Sequence, residues 1–318
     1  MSRRPILFYC PQMERVAKDV RRHAALLDCA VDLGEIKWSE YPDGWFDTQN
    51  LEVARGRMRD AHAFFLMSID TPAELVRQAG ALYAFHAYEA AMLDVFLPYF
   101  APGTIEKIEV AGRIAYAKTA ARMLSVTPPL RCGIPKFHIW DIHNEAEQFY
   151  FGDTVIYAPH TAIPRLIALV ENTKLPITYV FPDLGAYDRF VKYKPHFVGR
   201  DLVLCEKRRM GSEREIRIIE GNPRDKHCVI VDDLIQSGRT LIACAHLLNQ
   251  HGAKSISAFA THGVFPSGAI ERIADSKLFT VVCVTDSVPR SALAMKQAGF
   301  TTLSLASDMA RIIKESCL

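Results

Sequence analysis

The residues with the most chemistry to offer lie between 227 and 240, in the run HCVIVDDLIQSGRT. Cys228–Val231 reads as a buried parallel strand that runs into two adjacent acids, Asp232 and Asp233. A short polar loop follows, made of Gln236, Ser237, Gly238, Arg239 and Thr240, and a helix is expected from Thr240 to His251. Ligands of open α/β sheets bind at the carboxyl ends of strands. Backbone N–H groups of such a loop, ahead of a helix N-terminus, make an anion nest suited to a phosphate. Ser237 and Thr240 add hydroxyl donors. The two carboxylates repel a phosphate, so they suit hydroxyls attached to it, or a metal. A sugar phosphate satisfies both ends, with vicinal hydroxyls on the acids and the phosphate in the loop.

Three other stretches carry chemistry with a plainer reading beside it. Asp183, in the run FPDLG after the strand Ile177–Phe181, stands at a strand end, where a carboxylate makes a good Mg²⁺ ligand; a Pro-Asp-x-Gly turn explains the same residues. His143 follows a strand and an acid, Asp141, and so stands at a sheet edge. Residues 205–217, CEKRRMGSEREIR, hold five basic side chains around a central Gly and Ser. On their own they read as a solvated hairpin.

Elements must position these groups. Strand-length apolar runs alternate with helical patterns: Pro5–Cys10, Ala63–Ser68, Leu93–Phe100 and Lys136–Ile142 as strands, with Met13–Cys29, Pro72–His86 and Gly112–Leu124 as helices. The rhythm resumes with Pro164–Val170 as helix and continues through Ile256–Thr261 and Phe279–Val284. Such alternation predicts α/β architecture with parallel sheets covered on both faces. A boundary near residues 151–161 divides the chain into two α/β halves, drawn as 1–153 and 154–318.

Composition narrows the function. The chain has 318 residues, 38 Lys and Arg against 36 Asp and Glu, and a net charge of +2. That balance excludes the strong basic excess of a nucleic-acid or anionic-membrane binder. No apolar run reaches the length of a transmembrane helix, and the apolar stretch before Pro11 is too short for a secretory segment. The eight cysteines form no CxxC pair and sit mostly in apolar runs, which points to a reducing compartment, the cytoplasm by default. Neither GxxxxGK[ST] nor GxGxxG occurs, so a nucleotide would need another phosphate nest.

The segment 227–240 resembles the phosphoribosyl-diphosphate (PRPP) loop shared by type I phosphoribosyltransferases and ribose-phosphate diphosphokinases (PRPP synthetases). Other segments resemble the synthetases specifically, over roughly residues 40–305, and the plant-type class II enzymes most. FHIWDIHNEAEQFYFGD (137–153) is similar to their DLH-type segment, PDLG (182–185) to their PDxG segment, and Lys207-Arg208-Arg209 to the Lys-x-Arg that opens their flexible loop. Tyr41-Pro-Asp-Gly44 looks like their Phe-x-Asp-Gly segment near adenine. The usual pattern is departed from at Arg239, where synthetases carry Gly, at Trp45 for the class I Glu, and over Thr104-Ile-Glu-Lys107 for the class I Arg-Gln-Asp-Arg.

The resemblance implies two similar type I phosphoribosyltransferase-like domains, with the PRPP loop in the second. It implies diphosphate transfer from MgATP to the 1-hydroxyl of ribose 5-phosphate, with Mg²⁺ as cofactor and a homo-oligomer as the assembly. Lys207 and Arg209 are then catalytic, and Asp232, Asp233 and residues 236–240 hold ribose 5-phosphate. Tyr41, Asp43, Glu106, Lys107 and His143 face ATP, and His143 and Asp183 face the metal. A phosphoribosyltransferase shares the loop but does not need the Lys-x-Arg lid or the DIH segment. A non-catalytic regulatory paralogue keeps the fold and loses parts of the site.

Overall fold

The computed structural model describes residues 4–106, 108, 110–171, 175–191, 194–210, 213–266, 268–297 and 299–317. It describes their side chains except those at 191, 194, 195, 207–210, 213–215, 292, 293, 296 and 297. The chain divides into two compact units, residues 1–160 with 304–318, and residues 161–303.

In the first unit the strands are β1 (Ile6–Tyr9), β2 (Asp32–Leu33), β3 (Ile36–Glu40), β4 (Phe46–Asn50), β5 (His62–Leu66), β6 (Met92–Leu97), β7 (Lys136–Trp140) and β8 (Ile156–His160). Among the described residues six of them form one parallel sheet in the order β2-β1-β5-β6-β7-β8, while β3 and β4 pair as a separate antiparallel hairpin. The helices are α1 (Glu14–Leu26), α2 (Leu51–Ala54), α3 (Pro72–Ala87) and α4 (Tyr116–Leu124). Local chemistry starts α3: the Thr71 hydroxyl accepts the Glu74 amide at 3.2 Å, and Pro72 takes the first turn, where no N–H is needed. The sheet strands are apolar runs because both faces are covered; Phe64, Phe65, Val95, Phe96, Phe137 and Ile139 are all fully buried.

The second unit holds β9 (Ile177–Phe181), β10 (Asp201–Met210), β11 (Glu213–Glu220), β12 (His227–Ile235), β13 (Ser255–Gly263), β14 (Val281–Thr285) and β15 (Thr301–Leu303). Among the described residues their order is β11-β10-β9-β12-β13-β14-β15, parallel except for the β10–β11 hairpin. The helices are α5 (Ile163–Val170), α6 (Leu184–Val191), α7 (Lys194–Phe197), α8 (Arg239–Gln250), α9 (Ala269–Asp275) and α10 (Pro289–Gln297).

Two expectations change. The boundary falls at 160/161 rather than after Asp153, because residues 156–160 add an edge strand to the first sheet, Lys136 pairing with Ile156 and Trp140 with His160. Residues 304–318, expected in the C-terminal half, belong to the first unit, where α11 (Ala306–Ser316) packs along α1. The buried face Ala306, Met309, Ala310, Ile313 gives that helix an apolar stripe that must be covered.

Candidate active site

Strand order in the second unit reverses between β9 and β12: the chain leaves β9 toward β10 and β11 on one side, then β12, β13, β14 and β15 build outward on the other. Such a switch point opens a crevice at the carboxyl ends of its two strands. Asp183 follows β9, and Asp232 and Asp233 lie near the end of β12. The acids were expected just after the strand, but they sit within it. Leu234 and Ile235 keep the ladder with His262 and Gly263 of β13 after the side chains have turned polar.

The acid pair is held by a residue that sequence reasoning missed. Arg189, on α6, places Nη1 2.5 Å from Asp233 Oδ1 and 3.4 Å from Asp232 Oδ1. The Asp233 amide donates to Asp232 Oδ1 at 2.9 Å. Asp233 is buried and Asp232 half-buried. Burial, then the neighbouring Asp233 carboxylate, pushes the Asp232 carboxyl well above the usual range, against the pull of the Arg189 guanidinium. Asp183 adds to the negative charge felt by Asp232. The signal in the sequence was a single basic residue in LGAYDRFV, which no local pattern ties to acids more than forty positions on.

Residues 236–240 form the loop into α8. Gly238 sits at φ +73°, and a Cβ there would fall 2.5 Å from Ile273 Cγ1, so glycine is required on both counts. Its carbonyl accepts the Ile242 amide at 2.9 Å, which opens the helix. Arg239 and Thr240 are the first two helical residues, where backbone N–H groups have no intrahelical acceptor. Arg272, also missed from the sequence, braces the loop by donating from Nη1 to the Ser237 carbonyl at 2.7 Å. Gln236 is exposed and Ser237 and Thr240 are partly buried. Arg239, the departure from the usual glycine, is exposed rather than folded into the loop.

Asp183 stands one residue ahead of α6, which begins at Leu184 in place of the expected turn. Its Oδ1 accepts the Ala186 amide at 2.9 Å and its carbonyl the Tyr187 amide at 3.1 Å, which starts α6. Its charge also reaches Cys205 and Asp232, so the same carboxylate borders the acid pair electrostatically. Among the described residues no group of three or more His, Cys, Asp or Glu side chains forms a cation cage. Mg²⁺ on a phosphate substrate needs only one or two carboxylates plus water, and the oxygen donors beside the switch point fit that chemistry.

The other expected residues lie in the first unit or outside the described side chains. Tyr41 and Asp43 are exposed at the β3–β4 turn, where Asp43 Oδ1 accepts the Trp45 amide at 3.2 Å and Gly44 takes φ +87°. Glu106 is buried beyond β6, and its carbonyl accepts the Tyr150 hydroxyl at 3.3 Å. His143, partly buried, follows β7, the sheet neighbour of β6, just past Asp141 at the left-handed φ of +36°. Lys107 lies outside the described residues, as do the side chains of Lys207 and Arg209. The backbone of the last two belongs to the β10–β11 hairpin, Lys207 opposite Ile216 and Arg209 opposite Arg214.

Residues 212–317 match the family described as the phosphoribosyl synthetase-associated domain. Ribose-phosphate pyrophosphokinase 4 of Oryza sativa subsp. japonica is 39% identical over 316 residues, covering 96% of this chain and 94% of its own. The chain belongs to the ribose-phosphate pyrophosphokinase family. Its relatives in that family include ribose-phosphate pyrophosphokinase 4 of Arabidopsis thaliana, 39% identical over 315 residues with 96% and 90% covered. Another is ribose-phosphate pyrophosphokinase 3, mitochondrial, of Spinacia oleracea, 37% identical with 98% and 77% covered. The crystal structure of phosphoribosylpyrophosphate synthetase from Mycobacterium smegmatis superposes with a TM-score of 0.80 at 22% identity, over 98% of both chains, and shares the fold.

Proposed function

We propose that this chain transfers diphosphate from MgATP to the 1-hydroxyl of ribose 5-phosphate, giving PRPP and AMP. The observation that carries the reading is one strand–loop–helix at the switch point of the second unit. It presents Asp232 and Asp233, then the glycine-dependent loop 236–240, in a pyrophosphokinase-family chain. The acids accept the 2- and 3-hydroxyls of the sugar; the loop amides, Ser237 and Thr240 hold its 5-phosphate. Fixed at both ends, the 1-hydroxyl attacks the β-phosphorus in line, in an effectively intramolecular step. Lys207 and Arg209 neutralise the transferring group.

ATP is assigned to the first unit's Tyr41, Asp43, Glu106, Lys107 and His143. Mg²⁺, when bound, would supply charge neutralisation on the phosphates; Asp183 is the residue assigned to it in the second unit and His143 the residue assigned in the first. Arg239 is assigned a contact with the 5-phosphate; its exposure at the head of α8 supports this over crowding of the nest.

A homo-oligomer fits the exposed apolar side chains around α4, among them Ile108, Val110, Ile114, Tyr116 and Val126. The eight free cysteines support a reducing compartment, taken as the cytoplasm. Among the described residues no helix is long and apolar enough to cross a membrane. A coupled assay for AMP from ATP plus ribose 5-phosphate tests the function. AMP formation that depends on both substrates supports it; diphosphate release that instead requires a nucleobase and PRPP contradicts it and favours a phosphoribosyltransferase.

A further inference from the structure

Arg189 reaches both carboxylates of the acid pair with the same nitrogen, 2.5 Å to Asp233 Oδ1 and 3.4 Å to Asp232 Oδ1. The ion pair is well shielded: the side chain of Arg189 is 11% exposed and that of Asp233 3%. The carboxylates of Asp233 and Asp183 both act on Asp232 at this edge, and the Arg189 guanidinium offsets them there. Adjacent carboxylates in a low-dielectric crevice repel, and a cation hydrogen-bonded to both offsets that repulsion and fixes their spacing. Here the guanidinium and the Asp233 amide together fix Asp232 Oδ1, and the guanidinium fixes Asp233 Oδ1.

A vicinal diol is recognised by two acceptors at one spacing. A sugar with a single hydroxyl gains nothing from that spacing. We propose that Arg189 is a positioning residue that locks Asp232 and Asp233 into a two-acceptor template and so sets the preference for ribose 5-phosphate over 2-deoxyribose 5-phosphate. The inference rests on the reading that the acid pair binds the sugar diol. Asp183 and Arg189 stand at the start and within the same helix, α6, so the turn after β9 places the template's lock as well as a carboxylate.

The test is steady-state kinetics of Arg189→Gln and Arg189→Lys with both sugars, each variant's thermal unfolding recorded alongside. For Arg189→Gln, which keeps a donor but loses the charge and the fork, KM for ribose 5-phosphate is expected to rise about tenfold, the scale of one charge-assisted hydrogen bond. KM for ATP should stay within about threefold, and kcat at saturating sugar should change less than KM. The preference for ribose 5-phosphate over the 2-deoxy sugar should shrink by a similar factor, and Arg189→Lys should recover part of both. A merely structural arginine would lower the melting temperature without moving the sugar preference. An unchanged preference in a folded Arg189→Gln protein overturns the inference. Should that variant not fold, Arg189→Lys decides: a shift of about threefold supports the template and none overturns it. Wild-type protein that makes no AMP overturns the functional reading instead, so the two failures are distinct.

Discussion

Gly238 and Ile273 approach so closely that a Cβ on the glycine would lie 2.5 Å from Ile273 Cγ1 and 2.7 Å from its Cδ1. The loop into α8 is thus shaped by a left-handed glycine pressed against α9. Gly238→Ala is expected to cost about 1–3 kcal/mol of stability from the strained backbone alone, and to weaken ribose 5-phosphate binding because the loop amides must shift. Ile273→Ala in the same protein removes the clash but not the strain, so it should restore only part of the affinity. Titration of the single and double variants with ribose 5-phosphate checks this; unaltered affinity in Gly238→Ala would show that the loop does not hold the phosphate.

The acid pair makes a second, sharper forecast. Asp232→Asn and Asp233→Asn preserve shape while weakening bonds to the sugar hydroxyls, worth roughly 1.5–3 kcal/mol each. Ribose 5-phosphate affinity should fall about tenfold or more. Calorimetric binding equal to that of the parent would reduce the acids to an Arg189 ion pair with no ligand role.

For the hairpin that carries the Lys-x-Arg, expected effects are on rate. Lys207→Ala or Arg209→Ala should lower kcat by on the order of 10²–10⁴, as when a transition-state charge stabiliser is lost. KM for ribose 5-phosphate should hardly move, since that ligand is assigned to the loop between β12 and α8 and not to the hairpin. Arg208→Ala, at the position given no role, is the control; parental kcat in both test variants would remove the lid from the mechanism.

Ile177–Phe181 reads as a strand with the bounds it has, because a β-branched and aromatic run is flanked by Pro at each side. The loop 236–240 was legible for the same local reason: one glycine and a helix start within a few residues. What sequence could not give was anything set by strand order. The switch point exists only once β9 and β12 pair, and Arg189 reaches Asp233 only because of it. The β3–β4 hairpin also escaped, since IKWSE and FDTQN carry too few apolar residues to signal strands. The short edge strand β8 was hidden by Pro159 and by polar flanks, and it moved the domain boundary with it.

A partly buried chain in the first unit makes stability depend on pH. Asp94 bridges His62 and His138 at 2.8 Å each, and His138 Nδ1 lies 2.8 Å from His160 Nε2. Burial, with His138 beside it, holds the His160 imidazole down at about 4. The unfolded chain therefore takes up the proton first, near the ordinary histidine value of about 6.5, and stability falls as pH drops from about 6.5 to 4. Burial pushes the Asp94 carboxyl up, but the two histidine bonds outweigh it and hold it at about 2. Its contribution is present above about 3.8 and lost as pH falls from there towards 2. Urea midpoints between pH 7 and 4 should decline for the parent and flatten in His160→Gln; parallel slopes would contradict the assignment.

The most direct measurement follows the label from ATP carrying ³²P at the β-phosphorus, incubated with ribose 5-phosphate and Mg²⁺. Label recovered in PRPP, with one AMP formed per PRPP and no ADP, is the expected result. Label left in ADP or ATP, or no turnover with both substrates present, would contradict diphosphate transfer by this chain.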